Sequence, residues 1–193
     1  MSDWKSHISR TITRFHAESV MPHEGKTVAK SFRVNEKALE ALQEEAKRQS
    51  ISVNTLVNQL LLDFSEFGRY LQRVNALKLS RKTFEEILNS VPEERLVEAA
   101  QTAGKSAPVA LIASKYGKVN LSSVLGFIHD LSAHANLFEY NERNENERWT
   151  VTLMHELGPK WSTFLSYYLV EAFVSAGVQP KAKVSDRAVI FSF

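Results

Sequence analysis

The chain of 193 residues has no cysteine and six histidines, and these two counts set the first limits on its chemistry. Without cysteine there is no thiol nucleophile, disulfide, iron–sulfur cluster or cysteine-ligated zinc. The second half contains His129, His134 and His155, and the five-residue spacing of the first two places them on different faces of a helix. A helical pair of metal ligands is therefore not indicated. We expect each histidine to be a surface or locally hydrogen-bonded residue, and we expect no metal and no cofactor.

A second candidate for chemistry is the tripeptide Gly104-Lys105-Ser106, which matches the end of a phosphate-binding loop. The complete motif needs a preceding strand and a glycine five positions before Gly104, where Ala99 stands. The acidic residues next to the histidines do not complete a set of nucleophile, base and orienting group either. The sequence therefore predicts that the protein is not an enzyme.

Charge is distributed unevenly along the chain. Residues 1–82 contain 14 Lys and Arg against 9 Asp and Glu, a net charge of +5, whereas residues 83–193 contain 10 against 13, a net charge of −3. This excess of positive charge suggests a polyanion as the partner of the N-terminal part. We interpret residues 1–27 as a flexible basic arm, because they lack periodicity and contain a Pro/Gly breaker cluster. Its basic residues include Lys5, Arg10, Arg14 and Lys26.

The residues after this arm predict a short strand followed by two helices. Residues 28–34 are too few for a helix before Asn35, whose side chain is a good N-cap. As a strand, they place Val28, Phe32 and Val34 on one face and Ala29, Ser31 and Arg33 on the other. The first helix runs from Asn35 to about Gln49 and has a narrow apolar stripe, and the second begins at Ser52 or Asn54 and continues to about Phe67. Its broad apolar face comprises Leu56, Val57, Leu60, Leu61, Phe64 and Phe67.

A single short strand leaves its backbone donors and acceptors unpaired unless a second chain supplies the partner strand. A two-fold homodimer meets this need, because the two strands then pair antiparallel and the second helices bury their apolar faces against each other. Residues 28–67, with Lys30-Ser31-Phe32-Arg33-Val34-Asn35 and the link at 49–58, resemble the ribbon-helix-helix family of DNA-binding regulators. The dimer core is then expected at Phe32, Val34, Leu56, Val57 and Leu60. In the family the turn between the helices is often glycine, and Ser50 stands here.

The resemblance implies that the outward side chains of the ribbon enter the major groove, which assigns base contacts to Ala29, Ser31 and Arg33. It also implies that the start of the second helix holds a backbone phosphate, at Ser52, Val53 and Asn54. Physical chemistry supports both roles, because arginine donates to guanine O6 and N7 and a helix N-terminus offers N–H groups to phosphate. Lys26 and Lys30 are expected to add salt-dependent contacts to phosphate.

The rest of the chain predicts a helical connector at 68–118 and an α+β domain at 119–193. In that domain we expect a helix from Asn120 or Ser122 to about Ala135, strands at 137–141 and 149–155 around a polar loop at 142–148, and a helix from Pro159 to Gly177. A second hairpin at 181–184 and 188–193 completes an α-β-β-α-β-β order with one antiparallel sheet. The domain is expected to serve oligomerisation or sensing of a small-molecule effector.

The sequence of the second half also permits two other interpretations, a winged helix and a ligand pocket. Residues 108–155 fit a winged helix, but residues 139–147 contain four Glu and one Arg, which is the wrong sign for a wing that meets phosphates. The aromatic residues Trp161, Tyr167 and Tyr168 can line a ligand pocket, although such spacing on a helix is more often core. A protein-interaction module, antitoxin-like or scaffolding, is the alternative to DNA binding.

These patterns together predict a transcriptional regulator that binds double-stranded DNA as a homodimer, with assembly into tetramers left open. The longest apolar stretches fall far short of the roughly 18 to 20 residues of a membrane span, and the N-terminus lacks the pattern of a secretion signal. We therefore expect a cytoplasmic protein with no membrane partner.

Overall fold

The computed structural model describes residues 28–145 and 148–193. The chain divides between Val57 and Asn58 into two compact units. The described part of the first unit contains helix α1 (Glu36–Arg48) and the start of helix α2 (Val53–Asp63). Residues 28–35 form neither helix nor strand. A ribbon needs a second chain to pair with, so the predicted strand at 28–34 is not formed in this single chain.

The turn between α1 and α2 is closed by two backbone hydrogen bonds. The Ile51 N–H donates to the Ala46 carbonyl at 3.0 Å, and the Ser50 N–H donates to the Lys47 carbonyl at 3.1 Å. This is the Schellman arrangement, which requires a left-handed residue after the helix cap. Ser50 takes that conformation, with φ of 56°. Glycine would adopt this left-handed conformation at position 50 without steric strain, which is the physical reason why a turn of this kind favours it.

The second unit continues α2 through a π-helical turn (Phe64–Gly68) into α3 (Arg69–Arg73). Three further helices follow, α4 (Arg81–Ser90), α5 (Glu93–Gly104) and α6 (Ala107–Tyr116). The connector is thus helical, as predicted, and α3 ends at Arg73, shortly before Asn75, which takes a left-handed φ of 51°. Only Lys105 and Ser106 separate α5 from α6, and α6 has Pro108 in its first turn.

The last part of the chain forms the predicted α-β-β-α-β-β order. Helix α7 (Leu121–Ala135) is capped by Asn120, whose side chain accepts from the Ser123 N–H at 3.0 Å. Strands β1 (Glu139–Glu145) and β2 (Arg148–Met154) precede helix α8 (Pro159–Ser175), and β3 (Lys181–Ser185) and β4 (Ala188–Ser192) follow it. The four strands are antiparallel in the order β1-β2-β4-β3. The fold is therefore α+β.

The first hairpin differs from the prediction in the length of its strands. Residues 142–145 belong to β1 and were expected in a loop, and Glu142 pairs with Val151 and Arg143 with Thr150. Their polar side chains are tolerated because β1 lies at the edge of the sheet.

The core of the second unit lies between the helices and one face of the sheet. Val151 and Leu153 of β2 and Val189 and Phe191 of β4 are fully buried on that face, and Phe173 of α8 packs on Phe191 with ring centroids 5.4 Å apart. Helices α5 and α8 approach closely at Gly104, where an added Cβ would lie 2.6 Å from the Tyr168 carbonyl oxygen. In the part of the chain that the structure describes, no helix combines the length and apolar character needed to cross a membrane.

Candidate nucleic-acid interface

The residues predicted to contact bases lie in the segment before α1. Ala29, Ser31 and Arg33 are all exposed, as is Lys30. No side chain within the described ranges forms a hydrogen bond or ion pair with Lys30 or Arg33, so their charges are free to meet a partner. Lys26, predicted to contact phosphate, lies outside the described residues.

The start of α2 has the geometry of a capped helix N-terminus. The Ser52 Oγ accepts from the Thr55 N–H at 3.0 Å and lies 2.8 Å from the Thr55 hydroxyl, so Ser52 rather than Asn54 is the cap. Val53 is the first helical residue and is half-buried, whereas the Asn54 side chain is exposed. Because the Ser52 oxygen already serves the cap, an anion here would meet the N–H groups of Val53 and Asn54 and the Asn54 amide.

Several large apolar side chains of these two segments are also exposed. Phe32, Val34 and Leu60, all predicted for the dimer core, are 73%, 54% and 52% exposed. Val28, Leu39, Leu61 and Phe64 are exposed as well. Of the two other predicted dimer residues, Leu56 is already buried in the single chain and Val57 is half-buried.

Phe67 corrects the predicted apolar face of the second helix. It is 1% exposed and belongs to the core of the second unit, where its ring stacks on His134 with centroids 5.1 Å apart. The π-helical turn that precedes α3 inserts an extra residue in the helical repeat, so the apolar periodicity of α2 does not extend to Phe67.

Arg48 and Glu45 form an ion pair on α1. Arg48 donates to both carboxylate oxygens of Glu45, at 2.8 Å from Nε and 2.5 Å from Nη2, and the Gln49 amide donates to the same carboxylate. These hydrogen bonds, led by that from Arg48, lower the pKa of Glu45 to about 2. Arg48 is therefore occupied within α1 and adds little to any surface that binds phosphate.

The second unit contains polar clusters that spacing along the sequence did not reveal. Asp130 is buried on α7 and accepts from the Lys115 ammonium and the Tyr116 hydroxyl of α6, each at 2.7 Å. Burial, together with the hydrogen bond to Asp130, raises the pKa of Tyr116. Both carboxylate oxygens are satisfied, so this cluster links α6 to α7 and leaves no group free for a ligand.

His134 is locally bonded, as predicted. Its Nδ1 lies 2.8 Å from Asp63 Oδ1, and its Nε2 lies 4.0 Å from Glu66 Oε2. His129 is exposed on the same helix and meets the Tyr140 ring edge-on, with centroids 5.8 Å apart. No group of three or more histidine and carboxylate ligands with metal-binding geometry occurs within residues 28–145 and 148–193.

His155 is the histidine whose environment differs most from the expectation of a surface residue. It is buried, and its Nε2 lies 2.8 Å from the Oγ of Ser162, which has no exposure. Burial lowers the pKa of His155. A signal for this burial was present in the sequence, because His155 directly follows β2 and continues the alternation of the buried residues Val151 and Leu153. Ser162 likewise shares a helical stripe with Leu165 and Leu169.

A serine hydrogen-bonded to a histidine is also the pair that activates a nucleophile. Here the serine is sealed from solvent, and no carboxylate within the described part of the chain hydrogen-bonds His155. The geometry therefore gives no reason to assign catalysis to this pair.

Segment 28–34 and helix α2, where the sequence predicts the DNA contact, thus carry exposed polar and apolar side chains. The chain matches no protein-family model, no curated protein and no solved structure.

Proposed function

We propose that the protein is a sequence-specific DNA-binding regulator that acts as a homodimer, with residues 28–67 forming a ribbon-helix-helix unit. In the dimer, the segments at 28–34 pair as an antiparallel ribbon in the major groove. Arg33 and Ser31 donate to base edges, and the start of α2 holds a phosphate. The protein has no catalytic role in this proposal.

One observation carries the proposal. Within 28–34, the apolar side chains Phe32 and Val34 and the polar side chains Ser31 and Arg33 alternate, and all four are exposed in a segment without a strand partner. Exposed phenylalanine is unfavourable in water and indicates a surface that a partner covers. Pairing with a second copy covers the apolar side chains and presents the polar ones on the opposite face of the ribbon.

The test begins with recovery of genomic duplex fragments that the full chain retains at rising salt. A few related sites are expected, with affinity that falls steeply in the logarithm of salt concentration. Arg33→Ala should weaken binding to the recovered site by about 1 to 3 kcal/mol and relax specificity at one base position. The dimer should remain intact in sedimentation, because Arg33 lies on the polar face.

Two matched variants complete the test. Lys30→Ala should weaken binding to all sequences alike and reduce the salt slope by about 1. Lys47→Ala removes an exposed cation from the end of α1 and should change neither property. Binding of Arg33→Ala with unchanged affinity and specificity would remove the ribbon from the mechanism.

A second function is favoured by another observation. Leu77 is 88% exposed and Leu79 and Ile87 are also exposed, all in or beside the connector helices of the second unit. Such side chains fit a protein-interaction module, in which the second unit presents an apolar surface to a protein partner. Stoichiometric co-purification of one protein, lost in Leu77→Ser with Leu79→Ser, would favour this function over DNA binding.

A further inference from the structure

One polar cluster of the second unit takes no part in the proposed DNA contact. It lies where β2 ends and α8 begins, and it consists of His155, Trp161 and Ser162. His155 is 7% exposed and Trp161 is 4% exposed, and their rings meet edge-on with centroids 6.5 Å apart. Neither His155 Nδ1 nor Trp161 Nε1 has a hydrogen-bond partner among the described residues. Two buried nitrogens without partners are unfavourable, so a group that pairs with both gains affinity from them.

The chemistry of these nitrogens defines what they can bind. Trp161 Nε1 is a donor only. Because burial lowers the pKa of His155, the ring is neutral near pH 7 and carries one proton. When the Ser162 hydroxyl donates to Nε2, that proton lies on Nδ1. Both free nitrogens are then donors, and they match a ligand with acceptor oxygens.

The charges around the cluster favour an anion. Lys160 and Glu156 are the sequence neighbours of Trp161 and His155, and Arg81 lies 3.9 Å from Glu156, so these three side chains carry a net charge of +1. Helix α8 is 17 residues long, and Gly158 at its N-cap offers no side chain to its first N–H groups. The positive end of the helix dipole therefore adds to the excess of positive charge.

Helix α4 packs against Trp161 of the cluster, and we expect it to move when a ligand enters. Its Phe84 packs edge-on against Trp161, with centroids 5.2 Å apart. At the start of α4, Arg81 donates to the Asn136 carbonyl at 3.3 Å. Beyond its other end, the Lys160 ammonium donates to the carbonyls of Asn89 and Val91 at 2.8 Å and 2.5 Å. The chain before α4, residues 76–80, is exposed and has no helix or strand, which suits a hinge.

We propose that the His155–Trp161–Ser162 cluster binds a small organic carboxylate beneath α4. The carboxylate oxygens accept from Trp161 Nε1–H and His155 Nδ1–H, and the start of α8 stabilises their charge. As the effector site of a DNA-binding regulator, this assignment rests on the proposed function. Carboxylate binding itself is measured without DNA.

The experiment uses the full chain with ¹⁵N-labelled tryptophan, in which Trp4, Trp149 and Trp161 each give one indole signal. The signal that disappears in Trp161→Phe belongs to Trp161. The signals that disappear in Trp4→Phe and Trp149→Phe belong to those two residues, so the remaining signal is again that of Trp161. Acetate, propionate and benzoate are the probes. Sodium chloride at equal ionic strength and the uncharged acetamide are the controls. The Trp161 signal should shift saturably with at least one carboxylate, whereas the Trp149 signal stays in place.

Calorimetry with the same carboxylate then tests the two donors. Trp161→Phe keeps a ring against Phe84 and removes one donor, and it should weaken the affinity about tenfold. Ser162→Ala removes the hydroxyl that orients His155 and should also weaken it. Trp149→Phe, the matched control, should leave the affinity unchanged.

Three outcomes would overturn the proposal: no saturable shift of the Trp161 signal with any of the acids, an equal response to acetamide, or a parallel shift of Trp149. The wild-type titration needs no substitution, so it decides the matter even when a variant fails to fold. Carboxylate binding by a chain that binds no DNA would support the site and contradict the proposed function. DNA binding without carboxylate binding would support the proposed function and contradict the carboxylate site.

Discussion

The two compact units bury their apolar residues to very different extents. In the described part of the first unit, Ala46 and Leu56 are the buried apolar residues, and Phe32 and Val34 face solvent. In the second unit a continuous core extends from Phe67 to Phe191 and includes buried residues of β2 and β4. Burial of apolar surface is the main favourable contribution to folding. The second unit therefore contains a core of its own, whereas the described part of the first unit buries few apolar side chains.

This difference fits the functions proposed for the two units. A ribbon that pairs between copies cannot be completed within one chain, so its apolar side chains remain exposed until a second copy is present. A domain that binds an effector must instead be folded before the effector arrives. Substitutions in the two units should consequently show different dependence on protein concentration.

The largest expected effect is that of Phe173→Ala in the core of the second unit. Phe173 is fully buried and touches the rings of Phe191 and Phe193, so the free energy of unfolding should fall by about 3 to 5 kcal/mol. Denaturant unfolding followed by tryptophan fluorescence measures this loss at any protein concentration. The matched change Phe32→Ala should shift that transition by less than about 0.5 kcal/mol but weaken the dimer in sedimentation. Equal effects of the two variants on the transition would contradict the comparison.

Gly104→Ala is expected to have the next largest effect. The added Cβ would lie 2.6 Å from the Tyr168 carbonyl oxygen, so α5 and α8 must move apart, at a cost of about 1 to 3 kcal/mol. Gly68→Ala is the control, because its nearest atom would lie at 3.6 Å, an ordinary contact. Thermal unfolding of both variants gives the measurement. A Gly104→Ala chain as stable as Gly68→Ala would show that α5 and α8 do not pack this closely in solution.

Acid should destabilise the second unit through His155. Its pKa is lowered by burial in the folded state, so below the ordinary value of 6.5 the unfolded chain binds a proton that the folded chain does not. Stability is fully present above that value and falls with decreasing pH, at no more than about 1.4 kcal/mol per pH unit for this one proton. The fall should continue until the pH passes below the folded pKa.

His155→Gln provides the comparison for this effect. It removes the titrating group, so the difference in unfolding free energy between wild type and variant should shrink as the pH falls from 7 to 5. A difference that is constant over this range would place the titration elsewhere.

The smallest expected effect lies in the first unit, at Ser50. Its φ of 56° is strained for serine, so Ser50→Gly should stabilise α1 and α2 by up to about 1 kcal/mol. Ser50→Ala keeps the strain and should not stabilise. Helix content by circular dichroism during unfolding measures both, and destabilisation by glycine would contradict the left-handed turn.

Sequence patterns succeeded where the cause of an element is local. Pro159 and Gly177 bracket α8, Asn120 caps α7, and alternation predicted β2, because each signal acts within a few residues of the backbone it shapes. They failed for the polar half of β1, since its strand form comes from pairing with β2 rather than from its own composition. Helix α6 was expected within the helical connector at 68–118, and Pro108 lies in its first turn.

The candidate DNA contact was proposed from the sequence down to single residues, and those that the structure describes are exposed except for Val53, which is half-buried. The cluster beneath α4 was not predicted. His155 and Ser162 are separated by a turn between strand and helix, and no periodicity spans such a change of structure.

The sequence by itself determined the α-β-β-α-β-β order of the last part of the chain, the Asn120 cap of α7 and the segregation of positive charge toward the N-terminal part. These follow from local backbone preferences and from residue counts. Only the tertiary structure decided that Asp63 meets His134 across 71 residues, that Lys115 meets Asp130, and that two ring nitrogens are buried beside Ser162. Such pairings arise when packed elements bring distant side chains within hydrogen-bonding distance, and local sequence preferences do not encode that distance.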